Sequence, residues 1–145
     1  GGKIVHAGGA GNGQVAKICN NMVLGISMLA AGEAFTLAEK LGLDAQTFFD
    51  IVSTSSGYCW SINVYCPVPG PVPTSPANRD YQPGFSAENM LKDLRLSQQA
   101  AEQSGVDTHM GHEAMALYER FAEAMNQGGK DFSGIIRMIQ EKSGG

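Results

Sequence analysis

The sequence predicts an all-α domain built around one long helix near its N-terminus, and three observations predict it. From residue 14 to about 41 the apolar positions Val15, Ile18, Met22, Val23, Ile26, Leu29, Phe35, Leu37 and Leu41 recur on a helical period. Residues 87–104 and 109–127 repeat that period, and each run is closed by glycine, at Gly105 and at Gly128-Gly129. No stretch alternates apolar and polar residues as a half-buried strand does.

Taken in order, residues 3–6 read as a short strand or linker. Gly9, Gly11 and Gly13 then make a glycine-rich loop able to turn tightly before the long helix. The apolar positions of that helix spread around much of its circumference, so it is expected to be buried rather than merely amphipathic. At 1.5 Å per residue it would run roughly 40 Å, the length of the whole domain. Gly25, Ala30, Ala31, Gly32 and Ala34 admit close helix neighbours. Gly42 suits a left-handed cap, and Asp44 is placed to cap a second helix over 45–53. A serine-rich turn and a short helix over 58–65 precede 67–76, where five prolines forbid helix. Ser86 caps the helix over 87–104, with Met90, Leu91, Leu94 and Leu96 on its buried side. The helix over 109–127 carries Met110, Ala114, Leu117, Phe121 and Met125 at helical intervals, and a last helix over 131–142 docks Ile135, Ile136, Met138 and Ile139.

With 145 residues the chain can bury one core. A net charge of -4 and a pI near 5.2 leave no basic face for nucleic acid. The longest apolar run, 22–31, is broken by Gly25 and Ser27 and is shorter than the roughly 20 residues of a membrane span, so a soluble protein without a membrane partner is expected. Cys19, Cys59 and Cys66 are odd in number and lack metal-ligand spacing, which favours reduced thiols and no disulfide.

The chemistry concentrates after the glycine loop. A dinucleotide fingerprint would need a second strand ending in an acid about 20 residues on, but the stretch leading to Glu33 is continuous helix. A phosphate loop would need Lys and Ser or Thr directly after the last glycine, where Gln14 and Val15 stand. What remains is Lys17 with Asn20 and Asn21 three and four residues on, a spacing that gathers a lysine and two amides on one helical face. His109 and His112 are three apart at a helix start, but no third ligand accompanies them and no metal site is expected.

The run Gly9-x-Gly11-x-Gly13-x-x-x-Lys17-x-x-Asn20-Asn21 resembles the catalytic-lysine signature of the β-hydroxyacid dehydrogenases. The words at 17–22, 56–61 and 67–70, with a further block from Tyr81 to Leu94, resemble the 3-hydroxyisobutyrate dehydrogenase branch of that family. The likeness runs from about Gly9 to about Glu141 and implies the C-terminal helical domain, a catalytic and oligomerisation unit that follows a Rossmann domain lying outside this chain. It implies NAD as cofactor, a small β-hydroxyacid as substrate, and oxidation of 3-hydroxyisobutyrate to methylmalonate semialdehyde in valine catabolism. It further implies a homodimer or homotetramer, in the cytoplasm or, in a eukaryote, the mitochondrial matrix.

Residue by residue, the resemblance makes Lys17 the general acid–base and places Asn21, Asn20, Trp60, Tyr65 and Asp93 against the substrate, with Lys92, Phe85 and Gly84 against the cofactor. Trp60 is expected as an aromatic wall and Tyr65 as a polar tip closing the pocket. A lysine amine is ordinarily protonated at neutral pH, so taking a proton requires desolvation or a cationic neighbour. The isolated domain is expected to be inactive. Two other readings stand beside this one: a helical assembly module with an incidental lysine, and a related enzyme such as a glyoxylate, succinic semialdehyde or tartronate semialdehyde reductase.

Overall fold

The computed structural model describes residues 9–144, with side chains from Gly11 onward, so the strand or linker expected over 3–6 lies outside the described residues. The order is α1 (Gly9–Lys40), α2 (Ala45–Val52), α3 (Trp60–Asn63), α4 (Ala87–Ser104), α5 (His109–Glu119) and α6 (Ile136–Lys142). The described residues form no sheet; a single antiparallel bridge pairs Ser86 with Asp131.

The expected glycine loop is itself helical, because α1 begins at Gly9. A Cβ at Gly13 would meet nothing within 4 Å, so no neighbour forces a turn there. Once a helix is nucleated, each added residue gains a hydrogen bond, and the strong helix formers downstream carry the glycines with them. At its other end α1 stops as expected: Gly42 adopts φ +94, and the amide of Leu43 bonds the carbonyl of Ala38.

α1 lies across α4, α5 and α6. Met28, Leu29, Ala31 and Phe35 are buried, whereas Val23 is 62% and Leu37 60% exposed, so the helix is covered on one side and not all round. By length and composition α1 could cross a bilayer, a point the interrupted run at 22–31 understates. Its Met28 and Leu29 nevertheless share a core with Met90, Leu94, Tyr118 and Phe121, which is how a core helix behaves. Gly25 lets the α4 side chains of Met90 and Leu94 approach to within 3.1–3.4 Å of where a Cβ would sit.

The remaining helices follow the capping signals closely. Asp44 accepts from the amide of Thr47 at the start of α2, Ser86 from that of Asn89 at the start of α4, and Gly105 ends α4 in the left-handed region. Two apolar positions fall on the other side from the one expected: Leu96 is 39% and Met110 57% exposed. Leu96 lies two residues, about 200°, round the helix from buried Leu94. The helix expected over 58–65 contracts to the single turn α3, and α5 passes after Glu119 into a wider π-type turn over Arg120–Ala124. The last helix does not begin at 131. Asp131 caps a 3-10 turn, Phe132–Ile135, and only then does α6 start.

Candidate active site

Lys17, Asn20 and Asn21 stand on one side of α1 as their spacing requires. Lys17 is exposed and makes no hydrogen bond or ion pair among the described residues. The Asn20 amide donates to Asn21 Oδ1 (3.1 Å), and the Asn21 amide donates to Asp93 Oδ2 (2.7 Å) on α4. Asp93 is buried, so this relay fixes the orientation of the Asn21 amide and links α1 to α4. The other Asp93 oxygen takes no hydrogen bond among the described residues.

Asn20 also lines a cleft of about 390 Å³ with Val23, Leu24, Ser27, Cys59 and Trp60. Trp60, half-exposed, stacks on Tyr65 with centroids 4.9 Å apart and planes 20° from parallel. The Ser27 and Ser61 hydroxyls, 2.8 Å apart, tie α3 and its tryptophan to α1. The Tyr65 hydroxyl is not offered to the cleft: it donates to Asp131 Oδ1 at 2.6 Å. Burial first, and then that bond to a carboxylate, hold its phenol well above the ordinary tyrosine range. Tyr65 thus backs the wall that Trp60 presents.

Gly84 and Phe85 lie beside this wall, and both of their amides donate to Asp131 Oδ1, at 2.9 and 3.0 Å. A Cβ at Gly84 would stand 2.7 Å from the Tyr65 hydroxyl, so glycine is required for the loop to approach. The Phe85 ring meets Phe132 edge-on at 5.7 Å. Gly84 is exposed and Phe85 half-buried. Lys92 is less closely placed. Its side chain lines a neighbouring depression with Leu91, Arg95 and Glu123, on the flank of α4 away from the Asn20–Trp60 cleft, and is unpaired among the described residues.

Two clusters therefore emerge: Asn20, Asn21 and Asp93 as a relay one turn beyond Lys17, and Trp60, Tyr65, Gly84 and Phe85 gathered around Asp131. The sequence reading missed Asp131. Asp-x-Ser at 131–133 after Gly128-Gly129 does signal a cap, and the Asp131 side chain accepts from the amide of Ser133, but that signal says nothing of the distant residues that reach it. Cys66 is buried and its thiol is pushed up to about 11, chiefly by burial; Cys19 and Cys59 are free thiols nearer the surface. His109 and His112 are exposed, and no group of three or more His, Cys, Asp or Glu side chains among the described residues could hold a metal.

Comparison with known proteins places the chain in a family. The family described as NAD-binding of NADP-dependent 3-hydroxyisobutyrate dehydrogenase matches residues 11–139. The chain is 49% identical over 142 residues to a probable 3-hydroxyisobutyrate dehydrogenase of Mycobacterium tuberculosis (strain ATCC 25618 / H37Rv), covering 98% of this chain and 48% of that protein. It is 42% identical over 141 residues to the NAD-dependent L-serine dehydrogenase of Pseudomonas aeruginosa, covering 97% of this chain and 47% of that one. A solved structure of the Mycobacterium tuberculosis 3-hydroxyisobutyrate dehydrogenase with L-serine superposes with a TM-score of 0.88 at 48% identity, over 94% of this chain and 46% of that one. The chain spans about half the length of the curated relatives it matches. On the match across residues 11–139 and nearly half of all positions identical, the chain belongs to the NAD-binding 3-hydroxyisobutyrate dehydrogenase family of oxidoreductases.

Proposed function

We propose that this chain is the C-terminal helical domain of a dehydrogenase that oxidises 3-hydroxyisobutyrate to methylmalonate semialdehyde in valine catabolism, working in the cytoplasm or mitochondrial matrix with a nucleotide-binding domain across the cleft. The observation that carries this reading is the relay from Asn20 through Asn21 to buried Asp93, one helical turn beyond an unpaired Lys17. A lysine with no structural partner, next to amides fixed in orientation, is free to meet a substrate hydroxyl.

The nicotinamide, when bound, accepts the hydride of the carbinol carbon. Lys17 Nζ takes the hydroxyl proton as the C–H bond breaks, leaving the carbonyl product; in reduction the charged lysine returns that proton. Asn21 holds the substrate oxygen near Lys17, and Trp60 bounds the space for the substrate's carbon branch. Gly84 and Phe85 present a backbone edge to the nicotinamide, and closure of the cleft removes water from Lys17, strengthening its electrostatic work. Lys92 neutralises cofactor charge at the margin. The uncovered side of α1 around Leu37, with exposed Leu41 just beyond its end, serves as the surface for a second copy of the chain in a dimer or tetramer.

A second reading has its own support: L-serine is also a primary alcohol one carbon from a carboxyl-bearing centre, and relatives are an L-serine dehydrogenase and an enzyme solved with L-serine. In the full-length protein, single-turnover reduction of NAD with each alcohol distinguishes the two, with NADP run alongside. Lys17→Ala should slow the preferred reaction by about a hundredfold or more while NAD still binds, as expected for loss of a general acid–base group. Unchanged transfer would leave this domain as an assembly module.

A further inference from the structure

We propose that Asp131 is a positioning residue for hydride transfer, its buried carboxylate tying the cofactor-facing edge at Gly84 and Phe85 to the Trp60–Tyr65 wall so that both are held as one rigid unit. This rests on the dehydrogenase reading above. Asp131 is fully buried and forms no ion pair among the described residues. A buried carboxylate without a cation is costly unless hydrogen bonds replace its lost hydration. Here the replacement is complete. Oδ1 accepts from the Tyr65 hydroxyl and the Gly84 and Phe85 amides, and Oδ2 from the amide and hydroxyl of Ser133.

The donors come from places far apart in the chain: Tyr65 lies 66 residues away, and Gly84 and Phe85 lie 47 and 46. One oxygen serves the site and the other anchors the carboxylate to its own turn. A neutral asparagine could accept on one oxygen only, and its amide would confront donors on the other side. The backbone repeats the connection, with the Asp131 amide bonding the Tyr81 carbonyl and the Phe132 amide that of Phe85, both at 2.8 Å.

A second observation lies just upstream. Asp80 and Tyr81 adopt φ +56 and +58, two successive non-glycine residues in the left-handed region. Such backbone persists only where its surroundings over-determine it. Lys130 and Arg137 both bond Asp80, the Arg137 guanidinium lies 4.4 Å over the Tyr81 ring, and the Tyr81 hydroxyl donates to the Pro67 carbonyl. Residues 130–137 therefore grip this loop twice: through ion pairs at the Asp80 turn, and through Asp131 where the loop reaches the site. Mere chain reversal does not require a second grip on Gly84 and Phe85, but a loop that must present its backbone to a ring at fixed depth does.

The test uses two readouts. In the 145-residue chain Trp60 is the one tryptophan, so its emission and acrylamide quenching report the wall directly. Asp131→Asn should shift the emission and increase quenching while helical circular dichroism is retained. In the full-length protein it should lower kcat by about tenfold to a hundredfold, the scale of a misplaced reacting group, with the KM for NAD little changed because this loop meets only the nicotinamide end. Parent emission and parent kcat, with only a lower Tm, would overturn the proposal.

Should Asp131→Asn not fold, two milder variants decide. Tyr65→Phe removes a donor from the oxygen facing the site, and Ser133→Ala one from the oxygen facing away. The first should lower kcat and disturb Trp60, and the second should do neither; equal effects would overturn the positioning role. Lys17→Ala measured in parallel separates the two levels of inference. If it abolishes hydride transfer and the Asp131 variant does not slow it, the positioning role alone falls. If Lys17→Ala is without effect, the role of this domain in the dehydrogenase chemistry falls, whatever the Asp131 variant does.

Discussion

Lys17 stands exposed on α1 with no partner among the described residues, whereas Asp131 is wholly enclosed and takes five hydrogen bonds. The contrast separates reacting groups from supporting ones. Under the proposed function Lys17 exchanges a proton, and it is unpaired among the described residues while its neighbours Asn20 and Asn21 are fixed by hydrogen bonds. A group that sets geometry gains from being over-determined, and Asp131 can be removed only by stranding three donors at the site's edge. Tyr65 belongs to the second kind. Its hydroxyl, which the sequence reading placed at the mouth of the pocket, is committed to Asp131.

The largest stability effect should come from crowding the supported side. Gly84→Ala sets a methyl 2.7 Å from the Tyr65 hydroxyl, so either the Tyr65–Asp131 bond or the loop must shift. A loss of about 1–3 kcal/mol is expected from the overpacking and the disturbed buried hydrogen bond, read as a drop in urea midpoint at constant m. A wild-type midpoint would show that the loop is free to move, and the contrast between the two sides would collapse.

A medium effect should appear on the alkaline side. Tyr65 and Tyr118 are held well above the ordinary tyrosine range and Tyr81 is pushed up to about 12, chiefly by burial in each case. A tyrosine with a raised folded-state pKa keeps its proton longer in the fold than in the unfolded chain. Its stabilisation is full below the unfolded value, about pH 10, and is lost as pH rises through the folded value. Stability should therefore fall steeply above about pH 10. Tyr65→Phe should flatten that limb, and equally steep melting curves for both proteins would show that Tyr65 is not protected.

The smallest effect belongs to the reactive side. Lys17→Ala, whose cost to hydride transfer should be large, should change unfolding free energy by no more than about 0.5 kcal/mol, as for an exposed residue without partners. A Tm drop comparable to that of Gly84→Ala would mean that the lysine is structural.

Periodicity and capping residues made most of the helical fold legible. Gly42, Asp44, Ser86 and Gly105 bound their helices where their backbone and side-chain chemistry requires. Local rules failed where a neighbour, or the lack of one, decided the outcome. The glycines at 9–13 join α1, where a Cβ at Gly13 would meet nothing within 4 Å, and Leu37 stays exposed because no other element among the described residues covers that side of the helix. The i, i+3, i+4 spacing alone was enough to bring Lys17, Asn20 and Asn21 together, since a helix fixes neighbours at that range.

The amino-acid sequence by itself determined which segments are helical, where they stop, which residues could react, and the family the chain resembles, because each of these depends on residues within a few turns of one another. Only the tertiary structure decided that Asn21 meets Asp93 across 72 residues, that Tyr65 turns its hydroxyl inward, and that Asp131 gathers the loop and the aromatic wall. The physical reason is that a carboxylate's choice of partners follows from burial. Asp131 carries the same local cap signal that any helix-starting aspartate would; packing removed its water and left three distant donors as the replacement.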